Sequence, residues 1–133
     1  LPLTPVKKKA IQNLGYGTNT KVMMGFQTRF WRTDGNPTLK SSGSIYSANP
    51  IQTLWETSRL QSGSSGILTN FVGGQAGTNL IDLAHLQKTG YVQKNIELLS
   101  RIFGSKANCH DGSLVVQNWA RVPTAQGSYS CPL

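Results

Sequence analysis

The stretch GYGTNTKVMMGF, residues 15–26, carries one lysine in a run that otherwise predicts a buried β-strand. Successive side chains of a strand point to opposite faces of the sheet. This alternation predicts one apolar face and one mixed face: Val22, Met24 and Phe26 on the first, and Lys21, Met23 and Gly25 on the second. An ordinary exposed strand face would explain Lys21 without any function. A functional ammonium group is the alternative.

Length and composition predict one globular domain. The chain has 133 residues, of which 38% are hydrophobic, and this is enough for a single modest core. No run of about 18 apolar residues is present, so no membrane-spanning segment and no membrane partner are expected. The first residues, LPLTPVKKK, do not resemble a signal peptide, because the charges follow the apolar residues. Since the chain does not begin with methionine, we expect it to be a piece of a longer protein.

Positive charge is in excess. Thirteen Lys and Arg against five Asp and Glu give a formal net charge of +8. Apart from Lys7, Lys8 and Lys9, these charges are scattered, and only 14% of residues are charged. No nucleic-acid partner is therefore expected, although a basic binding module stays open as an alternative function.

The cysteines and histidines do not form a pattern typical of a metal site. Only Cys109, Cys131, His85 and His110 are available, and the adjacent pair 109–110 points its side chains apart. No metal is expected. Two cysteines are also too few for an extracellular disulfide framework, so a reducing compartment and a cytoplasmic location are predicted.

The first segment predicts a short helix. Thr4 can cap it, Pro5 suits its first turn and Gly15 can end it. Apolar residues at intervals of four predict a stripe that faces inward, with three lysines facing water: Val6, Ala10 and Leu14 in the stripe, and Lys7, Lys8 and Lys9 outside it.

Strands and one longer helix follow. Apolar residues at intervals of three and four predict a helix from about Gly90 to Gly104, and a weaker pattern predicts a helical turn over residues 80–86. Residues 32–50, rich in Gly, Ser, Asn and Pro, predict a loop or irregular hairpin. Strands are predicted over 20–31, 51–58, 66–74 and 113–122. The expected fold class is α+β, with a mixed, mostly antiparallel sheet packed against helices in one domain, residues 1–133.

Motifs for other chemistries are absent. The glycines of FVGGQAG, residues 71–77, do not have the spacing of a dinucleotide-binding loop. No nucleophile-elbow motif is present, and the five carboxylates are scattered. Core packing accounts for the tryptophans Trp31, Trp55 and Trp119, each in a predicted strand. From composition and spacing alone the chain is an unassigned α+β domain.

Three stretches taken together resemble the flavin-containing amine oxidases. Residues 1–32 resemble the segment where a proline-containing helix leads into a lysine-bearing apolar strand and a Phe-Trp pair. The stretch WETSRLQSGSSGILTNFVGG, residues 55–74, is similar to the following hairpin of bacterial members. VVQNWARVPTAQGSYS, residues 115–130, resembles the strand and turn that lead back to the flavin. The resemblance implies the substrate-binding domain of such an enzyme.

The resemblance implies roles for four residues. Lys21 matches the lysine that holds a water near flavin N5, where a cation can stabilise negative charge on the reduced ring. Tyr129 matches one wall of an aromatic cage that favours the neutral amine. Trp119 matches a tryptophan close to the flavin. Ser128 stands where monoamine oxidases carry the flavin-linked cysteine, so FAD would be bound noncovalently.

Segments that the family uses for the cofactor are not matched here. The N-terminal glycine motif and the final FAD-binding motif have no counterpart in this sequence. The resemblance therefore implies that the FAD-binding domain of the parent protein is the partner of this chain, and that the chain alone is inactive. The parent would oxidise a small-molecule amine to an imine and reduce oxygen to hydrogen peroxide. A related desaturase or protoporphyrinogen-oxidase-like enzyme is the alternative within flavoproteins.

Overall fold

The computed structural model describes residues 2–32, 41–49 and 51–131. It contains four α-helices: α1 (Pro5–Asn13), α2 (Gly74–Asn79), α3 (Leu83–Lys88) and α4 (Tyr91–Phe103). It contains seven β-strands: β1 (Gly15–Tyr16), β2 (Thr20–Phe26), β3 (Ser44–Tyr46), β4 (Thr53–Glu56), β5 (Gly66–Val72), β6 (His110–Asn118) and β7 (Ser130–Cys131). Two 3₁₀ turns, Gly104–Ala107 and Trp119–Arg121, follow α4 and β6.

Five of the strands form one antiparallel sheet in the order β3-β4-β5-β2-β6. The central strand β2 is the one predicted from the opening stretch, and it pairs with β5 and β6 on its two sides. A second small sheet pairs β1 with β7, and a parallel bridge joins Thr18 to Ser128. The predicted α+β class with a mostly antiparallel sheet is confirmed.

The core lies on one face of the large sheet. Val22, Met24 and Phe26 of β2 are fully buried there, as the alternation predicted. Helices α3 and α4 cover this face with Leu86 and Leu99, both fully buried. Removing a side chain such as these from water contributes about 1.5–3 kcal/mol each. The core therefore fixes which face of β2 presents Lys21.

Helix α1 departs from its prediction. Thr4 caps the helix by accepting a hydrogen bond from the Lys7 amide, and Asn13 is the last helical residue, close to the predicted end. The inward apolar stripe is wrong, however, because no residue of α1 is buried. Val6 is 80% exposed and Leu14 is 58% exposed. No element in the described ranges covers this helix, so its apolar side chains have nothing to pack against.

Two tryptophans that were predicted to lie in strands lie outside the strands of the structure. Trp31 follows β2 in a turn and is fully buried, as expected for a core residue. The strand predicted over 113–122 begins earlier and ends at Asn118, and Trp119 opens a 3₁₀ turn. The side chain of Asn118 accepts a hydrogen bond from the Ala120 amide, which stops the strand by capping that turn.

The stretch 32–50, predicted as a loop or irregular hairpin, contains one short strand. Strand β3 forms there and pairs with β4 at the edge of the sheet. Residues 33–40 and 50 of the predicted loop lie outside the described residues. Elsewhere, the helix predicted from Gly90 to Gly104 is confirmed as α4, and the weaker helical turn is confirmed as α3. No helix in the described ranges has the length and apolarity to cross a membrane.

Candidate active site

The sheet face opposite the core carries Lys21. In an antiparallel sheet, directly opposed residues point to the same face. Lys21 lies opposite Phe71 of β5 and Gln117 of β6, so these three side chains form a row across the outer face. The next row contains Met23, opposite Thr69 of β5. This outer face is therefore a mixture of apolar, polar and cationic side chains around one half-buried lysine.

An aromatic ring lies close to the Lys21 ammonium group. Its Nζ atom lies 5.9 Å from the centroid of the Trp55 ring, within the range of a cation–π interaction. Across the described ranges, the Lys21 ammonium group makes no salt bridge and no side-chain hydrogen bond. No carboxylate within these ranges therefore neutralises its positive charge.

Three aromatic side chains lie in a row beside Lys21 and are here called the aromatic row: Trp55, Phe71 and Tyr129. The ring centroids of Trp55 and Phe71 are 5.6 Å apart, and those of Phe71 and Tyr129 are 6.3 Å apart in a stacked arrangement. Phe71 is on the Lys21 face because it opposes Lys21. The structure thus brings Lys21 and Tyr129 to the same side of the sheet, because Lys21 opposes Phe71 and Tyr129 stacks on Phe71.

Trp119, Ser128 and Tyr129 line one open pocket of about 440 Å³. The other residues that line it are Tyr16, Ala125, Gly127 and Ser130. Lys21 is not part of this wall. The four site residues predicted from the sequence therefore lie in two adjoining places. Lys21 lies at one end of the aromatic row, and Trp119, Ser128 and Tyr129 line the pocket. Tyr129 belongs to both places, since it ends the row and borders the pocket.

The loop that carries Tyr129 is held by backbone pairing to the segment before β2. The Gly17 amide donates to the Tyr129 carbonyl oxygen at 2.6 Å, and the Ser128 amide donates to the Gly17 carbonyl oxygen at 2.8 Å. A Cβ atom on Gly17 would lie 2.8 Å from the Ser128 carbonyl oxygen, which is too close. Gly17 thus permits the close approach that brings residues 128 and 129 beside the start of β2.

Hydrogen bonds made by Trp119 and by its neighbour Asn118 hold Trp119 at the end of the large sheet. Its amide donates to the Asn19 carbonyl oxygen at 3.0 Å. The preceding Asn118 is buried, and its side-chain amide donates to the Leu80 carbonyl oxygen at 3.0 Å. Trp119 therefore sits where the end of β6, the start of β2 and the segment after α2 meet.

A charged cluster lies on the core side of the sheet. Arg32 donates two hydrogen bonds to the carboxylate of the buried Glu56, at 2.6 and 3.0 Å. Burial alone would raise the pKa of Glu56, but the bonds from Arg32 and the nearby charge of Arg29 outweigh it and hold that pKa below its ordinary value. This carboxylate is therefore ionised and structural.

Tyr91 of α4 is a second perturbed group on the core side. Burial raises the pKa of Tyr91 to about 12. Its hydroxyl donates to the side-chain oxygen of Asn70 at 2.5 Å, and Asn70 is fully buried in β5. Because Asn70 opposes Leu54 and Val22, this pair belongs to the core and not to the face of Lys21.

Metal-ligand chemistry finds no support in the described part of the chain. No group of three His, Cys, Asp or Glu side chains there could hold an ion. Cys109 and Cys131 are both free thiols, the first half-buried and the second exposed. The face around Lys21 therefore combines a cation with aromatic rings, and not with metal-binding groups.

The sequence matches a family model over residues 2–132, that of the flavin containing amine oxidoreductases. The chain belongs to this flavin-containing amine oxidoreductase family. Membership implies a flavin cofactor. The resemblance seen in the separate sequence motifs is thereby confirmed over nearly the whole chain.

Individual proteins are also similar to this chain in sequence or in structure. A possible lysine-specific histone demethylase 1 of Drosophila melanogaster is 30% identical over 129 residues, which is 97% of this chain and 14% of that protein. The cyclohexylamine oxidase of Brevibacterium oxydans has 18% identity and a TM-score of 0.68, over 96% of this chain and 26% of its own. A putrescine oxidase bound to putrescine has 22% identity and a TM-score of 0.69, over 97% of this chain and 27% of its own. The two solved structures confirm the amine oxidase fold, and this chain spans only a minor part of each relative.

Two aromatic residues on the Lys21 face were not predicted from the sequence. Trp55 was assigned to the core by default, and Phe71 was not singled out at all. Both lie on the outer face, because Trp55 opposes Thr69 and Phe71 opposes Lys21. The alternation that places Lys21 could have found Phe71 if the pairing of 20–26 with 66–72 had been known. Tyr16, inside the opening stretch, also borders the pocket.

Gly17→Ala tests how this family member holds Tyr129. We expect the variant to lower the free energy of unfolding by about 1–3 kcal/mol, because the added methyl group meets backbone atoms of Ser128 and Tyr129. Urea unfolding measures this change, and near-ultraviolet circular dichroism reports the loosened tyrosine. Gly73→Ala is the matched control, since its Cβ would meet only side-chain atoms, the nearest at 3.2 Å. Equal stability of the two variants would contradict the close-approach role of Gly17.

Proposed function

We propose that this chain is the substrate-side part of the active site of an FAD-dependent amine oxidase. Such an enzyme oxidises the C–N bond of a small-molecule amine to an imine and reduces oxygen to hydrogen peroxide. The observation that carries the proposal is that Lys21 and Tyr129 lie on one sheet face and are linked by the rings of the aromatic row. The named activities of the relatives, cyclohexylamine oxidase and putrescine oxidase, support the same reaction class.

The residues around the pocket suit a flat aromatic cofactor. Trp119 offers an aromatic surface and Ser128 a hydroxyl group on the same pocket wall. FAD, when bound, supplies the two-electron oxidation of the amine carbon. A serine hydroxyl at position 128 has no thiol with which to form a thioether, so the cofactor would be held noncovalently. The segments that bind most of FAD would lie outside residues 1–133, in a cofactor domain that is the partner of this chain.

Lys21 is the proposed catalytic residue. A cation aimed at a site of developing negative charge stabilises that charge, and it does so best when no carboxylate already neutralises it. Lys21 meets this condition within the described ranges, because its ammonium group faces a ring and not an acid. The same ammonium group can donate a hydrogen bond to a water molecule and orient it.

Tyr129 is the proposed substrate-binding residue. Stacked on Phe71, its ring adds to an apolar wall beside Lys21. A wall that excludes water favours the neutral form of an amine, because desolvation lowers the pKa of the amine, and only the neutral form has the free electron pair that oxidation requires. The adjacent positive charge of Lys21 acts in the same direction, since like charges repel.

The function is tested on the full-length protein that contains this chain. The flavin-loaded protein is mixed with a monoamine, a diamine and an amino acid, and peroxide release is measured. We expect amine-dependent peroxide from at least one class. Bleaching of the flavin by a substrate without peroxide release would favour the desaturase-like alternative. If no amine reduces the flavin and the protein instead binds mixed-sequence DNA with strong salt dependence, a basic binding module would replace the proposal.

Acid precipitation tests the mode of cofactor attachment. We expect all of the flavin to stay in the supernatant when the full-length protein is precipitated with acid, because Ser128 cannot form a thioether link. The absorption of the supernatant and of the redissolved pellet measures how much flavin each fraction contains. Ser128→Cys is the matched variant, and its flavin is compared by the same procedure. Flavin that stays with the precipitated wild-type protein would contradict noncovalent binding.

A further inference from the structure

We propose that Trp55 is a positioning residue that holds the Lys21 ammonium group on the face it shares with Tyr129. The inference rests on the function proposed above for Lys21, and it assigns a role to a residue that the sequence placed in the core. It is carried by the contact between the Lys21 Nζ atom and the Trp55 ring, at 5.9 Å from the centroid.

The direction of the Lys21 side chain needs a cause. Lysine has a long, flexible stem, and a single position for its charge costs conformational entropy. Lys21 is on β2 and Trp55 is on β4, with β5 between them. The lysine stem and the tryptophan ring together therefore span the width of β5. Since no carboxylate in the described ranges pairs with Lys21, the face of Trp55 is the attractive group that accounts for this direction.

Trp55 is itself held in place. It opposes Ser44 of β3 and Thr69 of β5, so it has a paired strand on each side. Its ring also packs on Phe71, which in turn stacks on Tyr129. The ring that contacts the ammonium group is therefore fixed to the residues that form the amine wall.

An aromatic partner also suits the proposed chemistry better than an acidic partner. A carboxylate would orient the ammonium group but would cancel much of its charge. The face of a tryptophan attracts the cation through the ring quadrupole while the full charge remains, and it takes up none of the three N–H donors in a salt bridge. Trp55 thus orients Lys21 without weakening it.

The contact is tested by NMR on the full-length, flavin-loaded protein labelled with ¹³Cε-lysine. The Lys21 signal is identified by its loss in Lys21→Met. We expect the Lys21 ε-protons to be shifted upfield by the Trp55 ring current, and to return toward the ordinary lysine position in Trp55→Leu. Trp55→Phe keeps a ring and should retain part of the shift. Tyr46→Leu, an 82% exposed aromatic residue on the neighbouring strand, should leave the shift unchanged.

Kinetics then test whether the contact acts through Lys21. With rapid mixing, we expect Trp55→Leu to slow the lysine-dependent half-reaction about fivefold, the effect of losing one cation–π interaction. Trp55→Phe should recover part of this rate. The double variant Lys21→Met/Trp55→Leu should be no slower than Lys21→Met alone, because Trp55 has no role once the ammonium group is gone. Unfolding curves of each variant separate these effects from loss of the fold.

Each outcome decides one of the two proposals. An unchanged chemical shift of the Lys21 ε-protons in Trp55→Leu would overturn the positioning role of Trp55. Fully additive rate losses in the double variant would overturn it as well. If Lys21→Met oxidises amines at the wild-type rate while the Lys21 shift still depends on Trp55, the contact stands and the catalytic role of Lys21 fails instead.

Discussion

Replacing Lys21 by methionine is expected to lower amine-dependent peroxide production by the full-length protein about 100-fold, the usual cost of losing one preorganised charge-stabilising group. Methionine has a similar length and fits the half-buried position beside Met23 and Phe71, so the fold should persist. Rapid mixing separates flavin reduction by the amine from flavin reoxidation by oxygen. The slowed half-reaction identifies the step in which the charge acts.

Controls for this variant come from the same chain. Lys88→Met removes an exposed lysine from the last turn of α3, far in the fold from the outer face, and should leave the rate unchanged. Flavin content and unfolding midpoint should match the wild type in both variants. A wild-type peroxide rate in Lys21→Met would remove the assigned catalytic role. A loss of bound flavin would instead show that Lys21 serves cofactor binding.

Replacing Arg32 by leucine is expected to have the largest effect on stability, a loss of about 3 kcal/mol in the free energy of unfolding at pH 7. This is the lower end of the range for breaking a buried ion pair, because the Arg32 side chain is itself 39% exposed. Arg32 makes both hydrogen bonds to the Glu56 carboxylate, whose side chain is only 2% exposed. Without Arg32, the nearest cation is Arg29, with its Nε atom 3.8 Å from the carboxylate. A buried charge would then lack its main partner. Urea unfolding measures the loss.

The pH dependence of this variant has a defined sign. In the wild type the pKa of Glu56 lies below its ordinary value of 4.5, so its contribution is present above about that pH and is lost as pH falls through the lower folded-state pKa. In Arg32→Leu, burial without the two hydrogen bonds should raise the pKa of Glu56. Acidification should then restore stability relative to pH 7, because protonation removes the buried charge.

A double variant checks the cause. Arg32→Leu/Glu56→Leu removes both charges, and it should be more stable than Arg32→Leu alone because no unpaired carboxylate remains in the core. A double variant as unstable as the sum of the two single variants would mean that packing, and not the ion pair, accounts for the loss.

Sequence alone predicted the parts of the fold that local patterns determine. The alternation of residues 22–26 placed Val22, Met24 and Phe26 in the core and Lys21 on the opposite face, and the structure confirms this division. The three- and four-residue periodicity of α4 was equally sufficient, and Gly104, with a φ of +77°, caps that helix as expected. In both cases a few neighbouring residues carry the whole signal.

Features that depend on distant pairing were not predictable. The apolar residues of α1 have helical spacing, but whether they are buried depends on what lies against the helix, which its own sequence does not state. Trp55 and Phe71 reach the Lys21 face only through the registers of β4 with β5 and of β5 with β2. For Trp119, the strand pattern of 113–122 continued past the point where the Asn118 cap ends the strand.

The pairing of β1 with β7 has a consequence for the segment that lies between these strands. Gly15 lies opposite Cys131, so the two ends of this segment are side by side. Everything between these positions is one closed excursion with two adjacent junctions. Units joined in this way tolerate insertion and exchange, because the host must bridge only a narrow gap.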